Sequence, residues 1–167
     1  GDTVSGPQAT VEVVTTATGG NISYTSLPAA RWGHNGLNLP ETSDILVCGG
    51  KGMHHDPTYL QKCLIYVNST WVEHSQFSRP RHYAVTVTMD YGDIYVLGGS
   101  YSPTTSDVLY KGSDNWSAGP RLGKDSFIFK ACATSINATH FVTIGCGIFY
   151  NMVDVFDTIT NTWRQWP

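Results

Sequence analysis

Ile94-Tyr95-Val96-Leu97-Gly98-Gly99 is a short apolar run that stops on two glycines, and the same figure recurs along the chain. It stands upstream at Ile45-Leu46-Val47-Cys48-Gly49-Gly50 and downstream at Phe141-Val142-Thr143-Ile144-Gly145-Cys146, with first glycines 49 and 47 residues apart. Trp71, Trp116 and Trp163 repeat at intervals of 45 and 47. Two independent marks sharing one period define a repeat, and a repeat constrains the fold more than any local propensity.

Working outward from the middle copy, His82 to Met89 alternates as a half-buried strand should. Asp90-Tyr91-Gly92-Asp93 supplies turn chemistry, and Ile94 to Leu97 is apolar throughout, as in a strand buried on both faces. A polar loop leads to a third strand at Asp107 to Tyr110, and a turn at Gly112 to Asn115 leads to a fourth at Trp116. No 3.6-residue apolar stripe persists for three turns, so the chain is expected to be all-β with essentially no helix. Four-stranded antiparallel units at this period stack radially around a channel as propeller blades, which leaves only short sheet edges.

On the paired glycines with their tryptophans (Gly49-Gly50 with Trp71, Gly98-Gly99 with Trp116, Gly145 with Trp163), the sequence resembles the kelch-repeat family. That family carries a double glycine ending the second strand, an aromatic in the third and a tryptophan in the fourth. Cys146 replaces one glycine, and Leu64, Leu109 and Phe156 stand seven residues before the tryptophans, where the family usually has tyrosine. The resemblance implies one kelch propeller segment over residues 1–167, with blades at 31–76, 77–120 and 121–167. Residues 8–30, including Val11-Glu12-Val13-Val14 and Asn21-Ile22-Ser23-Tyr24, resemble the outer strands of a partial blade. The tryptophans are read as packing between blades, and the glycines as sites where strands approach too closely for a side chain.

The resemblance implies a ring of about five to seven blades, more than this chain supplies. An open stack exposes apolar sheet faces, so a second polypeptide or a second copy of the chain is expected to complete it. Starting part-way through a blade fits cleavage of a larger precursor.

Charged residues make up 14% of the chain and hydrophobic ones 41%, a balance that excludes a disordered chain. The net charge of −3 gives no reason to expect nucleic acid or an anionic membrane as partner. No apolar run reaches the roughly 20 residues of a membrane span. Cys48 and Cys63 fall at facing ends of neighbouring strands, as do Cys132 and Cys146, so bridges Cys48–Cys63 and Cys132–Cys146 are expected. The alternative is four buried thiols. Sequons at Asn21, Asn68 and Asn137 fall in expected hairpin turns, and a fourth at Asn115 has a blade tryptophan in its middle position. Bridges and sequons together point to an extracellular protein, secreted or at the cell surface. A kelch adaptor inside the cell, with free thiols, is the competing reading.

No phosphate loop, metalloprotease helix or nucleophile elbow is present, and no catalytic residue, cofactor or metal site is assigned. His54-His55-Asp56 has ligand-type side chains, but adjacent histidines on an extended loop point to opposite sides. Secreted propellers similar to galactose oxidase are copper-radical enzymes, and a fragment of such an enzyme is the alternative function. Its tyrosine, histidine and cysteine constellation cannot be aligned here.

What the sequence offers is a surface. Loops joining strands two and three share one face with the connections between blades, and the resemblance makes that the partner-binding face. It would gather Arg31, Trp32 and His34 from one connection, Arg79, Arg81 and His82 from the next, and Arg121 and Lys124 from the third. Lys51, Met53, His54 and His55 follow the first glycine pair, and Ser100 and Tyr101 the second. Arginine among aromatics is the composition of interaction hot spots, here suited to an acidic peptide or an anionic glycan. Arg31 and Arg81 could equally buttress their own blades, since they hold similar repeat positions. The expected function is non-catalytic binding or assembly, recognising a protein or glycan.

Overall fold

The computed structural model describes residues 2–3, 6–7, 9–14, 21–23, 26–52, 61–123, 128, 130–145 and 152–166. Every regular element among them is a β-strand. Two hairpins come first: β1 (Asp2–Thr3) with β2 (Gly6–Pro7), and β3 (Glu12–Val14) with β4 (Asn21–Ser23). Three four-stranded antiparallel sheets follow, each a simple meander. The first holds β5 (Asn35–Asn38), β6 (Ile45–Cys48), β7 (Lys62–Val67) and β8 (Thr70–Gln76). The second holds β9 (Val85–Thr88), β10 (Ile94–Leu97), β11 (Ser106–Leu109) and β12 (Ser117–Ala118). The third holds β13 (Cys132–Asn137), β14 (His140–Ile144), β15 (Val153–Asp157) and β16 (Thr162–Gln165).

The apolar run Ile94–Leu97 is β10, buried on both faces because a sheet lies on either side. Its Tyr95 and Leu97 meet Phe141 and Phe156 of the third sheet, while Ile94 and Val96 meet Leu46 and Ile65 of the first. On the far side of the first sheet, Val47, Leu64 and Trp71 form a further cluster with Leu27, Ala9 and Val11. The core is thus a series of layers between consecutive sheets, the arrangement of stacked blades. On the third sheet, Ile136 and Ile144 remain 43% and 48% exposed.

Register corrects one point of the repeat. Ile45 pairs with Tyr66, Ile94 with Leu109 and Phe141 with Phe156, so the third-strand position of the first sheet is Tyr66 rather than Leu64. Its ring lies 5.0 Å from that of Trp71. Counting back from tryptophan misses it because β7 and β8 join through the tight turn Asn68-Ser69, both residues at positive φ, whereas β15 and β16 join through a longer turn. Trp116 and Trp163 are half-buried against Phe77 and Phe156, and their indole N–H groups find no acceptor among the described residues.

Candidate functional site

The site grows from the way one sheet is tied to the next. Gly49, Gly98 and Gly145 each donate N–H across their own hairpin, to the carbonyls of Lys62, Thr105 and Met152. The following glycine reaches onward: Gly50 N donates to Arg81 O at 2.9 Å, and Gly99 N to Ile128 O at 2.8 Å. Gly98 sits at φ +67°, and a Cβ there would collide with the Ile128 carbonyl. The double glycine is therefore a blade-to-blade contact in which one residue turns and the next bonds the neighbour.

Those contacts fix where the arginines go. Arg31 donates to the carbonyls of Gly49 (3.1 Å) and Lys62 (3.4 Å). Arg81 donates to the equivalent carbonyls of Gly98 (2.6 Å) and Thr105 (2.9 Å), and its Nε donates to Asp107 at 2.6 Å. Both are buried, as is His82. This corrects the assignment of Arg31, Arg81 and His82 to an exposed face. The two arginines buttress their own sheets, because a guanidinium fork can close several backbone acceptors that a glycine turn leaves at a sheet end. The positions equivalent to Arg81 and Asp107 are held by Arg31 and Leu64 in the first sheet and by Ile128 and Asp154 in the third. Only the middle sheet has both partners.

Two residues after Arg31, Arg81 and Ile128 the backbone takes a left-handed conformation: Gly33 at φ 61°, Tyr83 at 56° and Lys130 at 53°. Tyr83 N donates to Gly33 O at 2.8 Å and Lys130 N to Tyr83 O at 3.3 Å, a chain of bonds across three sheets. It brings together side chains distant in sequence. Trp32 stands edge-on to His82 (centroids 4.4 Å) and to Tyr83 (5.5 Å), and the His82 and Tyr83 rings lie 4.2 Å apart. Lys51 Nζ lies 5.7 Å from the Trp32 ring centroid, and Lys130 Nζ lies 4.5 Å from that of Tyr83. Trp32 and Lys51 are locked by a two-way backbone bridge of 3.0 and 2.9 Å. Ser100 Oγ and His82 Nδ1 lie 3.0 Å apart.

Around this aromatic–cationic cluster, His34, Ser100, Tyr101, Arg79 and Arg121 are exposed. His34 keeps solvent contact, yet surrounding protein strips part of its hydration and the nearby Arg31 charge adds to the effect, so its pKa is lowered from 6.5. Met53, His54, His55 and Lys124 lie outside the described residues. Tyr83 and Lys130 were not singled out in the sequence. The signal that could have found them is their place two residues after the Arg81 position in successive repeats. Among the described residues of the loops on this face there are lysines and arginines but no carboxylate. Among the described residues, the loops at the opposite end of the four-stranded sheets carry Glu41, Asp44, Asp90, Asp93 and Asp114 against the single cation Lys111. The net charge conceals this polarity.

Cys48 and Cys63 face each other across β6 and β7 and form a disulfide. Cys132 is a free, exposed thiol, and Cys146 lies outside the described residues. Asn68 is exposed in its turn, and Asn115 is exposed before β12. Asn137 is exposed, but its carbonyl accepts from Thr139 N and His140 N. Asn21 opens β4. Among the described residues no group of three or more His, Cys, Asp or Glu is placed to hold a metal ion, and no helix is long and apolar enough to cross a membrane. Comparison with protein-family models and with curated proteins finds no match to this chain.

Proposed function

We propose that this chain is part of a secreted or cell-surface kelch-type propeller that binds an anionic ligand through its cationic loop face. The observation that carries the reading is the Trp32–His82–Tyr83 ring cluster flanked by the ammonium groups of Lys51 and Lys130. Residues adjoining all three four-stranded sheets meet there through backbone hydrogen bonds, and no described carboxylate of those loops opposes an anion. Carboxylate or sulfate groups would bond the ammoniums while apolar parts of the ligand lie on Trp32 and Tyr101. The Cys48–Cys63 bridge supports an oxidising compartment. Half-exposed Ile136 and Ile144 on the third sheet support completion of the ring by a second chain or a second copy.

The test is a binding titration with heparin and with a polyglutamate peptide, on wild type and on the Lys51→Gln/Lys130→Gln double variant. Binding that weakens at least about tenfold in the variant and falls steeply with salt supports the reading. Equal affinity of wild type and variant, or no binding to either probe, refutes it. Native mass spectrometry of the non-reduced protein addresses ring completion, since a lone monomer at micromolar concentration would count against it.

A further inference from the structure

At the acidic end of the sheets, away from the cationic cluster, a cleft of about 610 Å³ runs between the second and third four-stranded sheets. Its size is that of a small-ligand site. Tyr91, Asp93, Tyr95 and Tyr110 line it from the second sheet, and Phe156 and Asn161 from the third. Among the described residues no lysine, arginine or histidine lines it. The tyrosines differ in what holds them. Tyr95 is buried, with its ring 5.2 Å from that of Phe141, and its phenol shares a hydrogen bond with Tyr91. Tyr91 and Tyr110 are 38% and 50% exposed and present ring surface to solvent. Asp93 Oδ1 accepts from Lys111 N at 2.8 Å, which fixes the carboxylate at the cleft. The Lys111 ammonium is turned away towards Glu41, 3.9 Å distant, and leaves the Asp93 charge uncovered by it.

We infer that this cleft is a second binding site, one that takes a basic peptide segment by seating an arginine or lysine side chain against the tyrosines with Asp93 as counter-charge. Tyrosine faces attract cations through their quadrupole, and the attraction grows where water is thinned, as beside the buried Tyr95. A carboxylate tethered by a backbone N–H gives a guanidinium a fixed acceptor at little ordering cost. Asp90 and Asp114, in turns at the same end of the sheets, add to a field that draws cations to this end of the molecule and repels the anions proposed for the other. A neutral sugar could stack on the same rings, but it would have no use for the charge of Asp93.

Isothermal titration with an acetylated, amidated Gly-Arg-Gly-Arg-Gly peptide tests this, with Gly-Glu-Gly-Glu-Gly and maltotriose as comparison probes. The basic peptide alone binds, and its affinity falls at least about fivefold in Asp93→Asn and in Tyr110→Leu. Asparagine keeps an acceptor for Lys111 N, and Tyr110 is exposed, so both variants retain the wild-type melting temperature. Asp44→Asn, on the same end but outside the cleft, leaves the affinity unchanged. Absence of binding, preference for maltotriose, or an equal loss in Asp44→Asn would each overturn the assignment. Because the Lys51 and Lys130 variants lie on the other face, failure here and failure of the anion site are separately visible.

Discussion

Arg81 donates its Nε to Asp107 Oδ2 at 2.6 Å, with both side chains wholly shielded from solvent. The second carboxylate oxygen accepts Ser78 N at 2.9 Å, so Asp107 clamps both the connection before β9 and the guanidinium that caps the glycine turn. Burial pulls the Arg81 pKa down, and Asp107 opposes that pull. Asp107→Asn would leave a buried cation without its counter-charge, and it should cost about 3–5 kcal/mol in urea unfolding. Replacing both partners, as in Arg81→Met with Asp107→Leu, should cost clearly less than the sum of the single changes. Additive losses would show that the two side chains act independently.

The glycine pair yields a prediction in which two chemically identical changes part company. Gly98 has a left-handed backbone and no room for a methyl group beside the Ile128 carbonyl. Gly36 in β5 has nothing within 4 Å of a would-be Cβ. Gly98→Ala should therefore destabilise by at least about 2 kcal/mol, while Gly36→Ala is neutral or stabilising by up to about 1 kcal/mol. Equal effects in thermal melts would mean that the blade-to-blade bond of Gly99 does not depend on this approach.

These two positions also show how much was legible in the sequence. The run ending at Gly98-Gly99 repeats, and repetition with alternation was enough to give strands, sheets and the close approach at the glycines. Arg31 and Arg81 stood out for the same reason, yet position alone could not tell a surface arginine from a buttress. What decides is which acceptors lie within reach, and Gly98 O and Thr105 O are brought to Arg81 only by the folded hairpin. Leu64 was aligned in place of Tyr66 because a tight turn and a longer one place the tryptophan at different distances from its third-strand partner. Tyr83 and Lys130 carry no motif that marks them in the sequence. Tyr83 meets Trp32 and Lys130 meets Tyr83 only because both take left-handed conformations at equivalent places in successive sheets.

The disulfide joins residues directly opposite on β6 and β7, 15 apart in sequence, and lies wholly within the core beside Leu46 and Ile65. Cross-linking a loop of that length is worth about 3 kcal/mol, mostly through the unfolded state. Cys48→Ser/Cys63→Ser should lose at least that much, since two hydroxyls would replace sulfur in an apolar layer. In the native protein iodoacetamide should modify Cys132 and leave Cys48 and Cys63 untouched. Recovery of the Cys48 and Cys63 peptides as separate alkylated species would refute the bridge.

His34 sets the last prediction, through the sign of its pKa shift. Its folded-state value lies below the ordinary 6.5, first because hydration is lost and then because of the Arg31 charge. Above the ordinary 6.5 the folded and unfolded chains both hold the imidazole neutral, and His34 adds nothing to the pH dependence. As the pH falls through it, the unfolded chain takes up a proton that folded His34 resists, so stability declines on acidification. Asp157 acts in the same direction in a lower window. The N–H groups of Ile159 and Thr160 hold its pKa below 3.8, and that stabilisation is lost only as the pH drops beneath the ordinary value. Melting temperatures measured from about pH 7 to pH 5 should thus fall less steeply in His34→Gln than in the wild type, with the two curves meeting near neutrality. If the curves stay parallel across that range, His34 is not the group responsible, and the lowered value assigned to it is wrong.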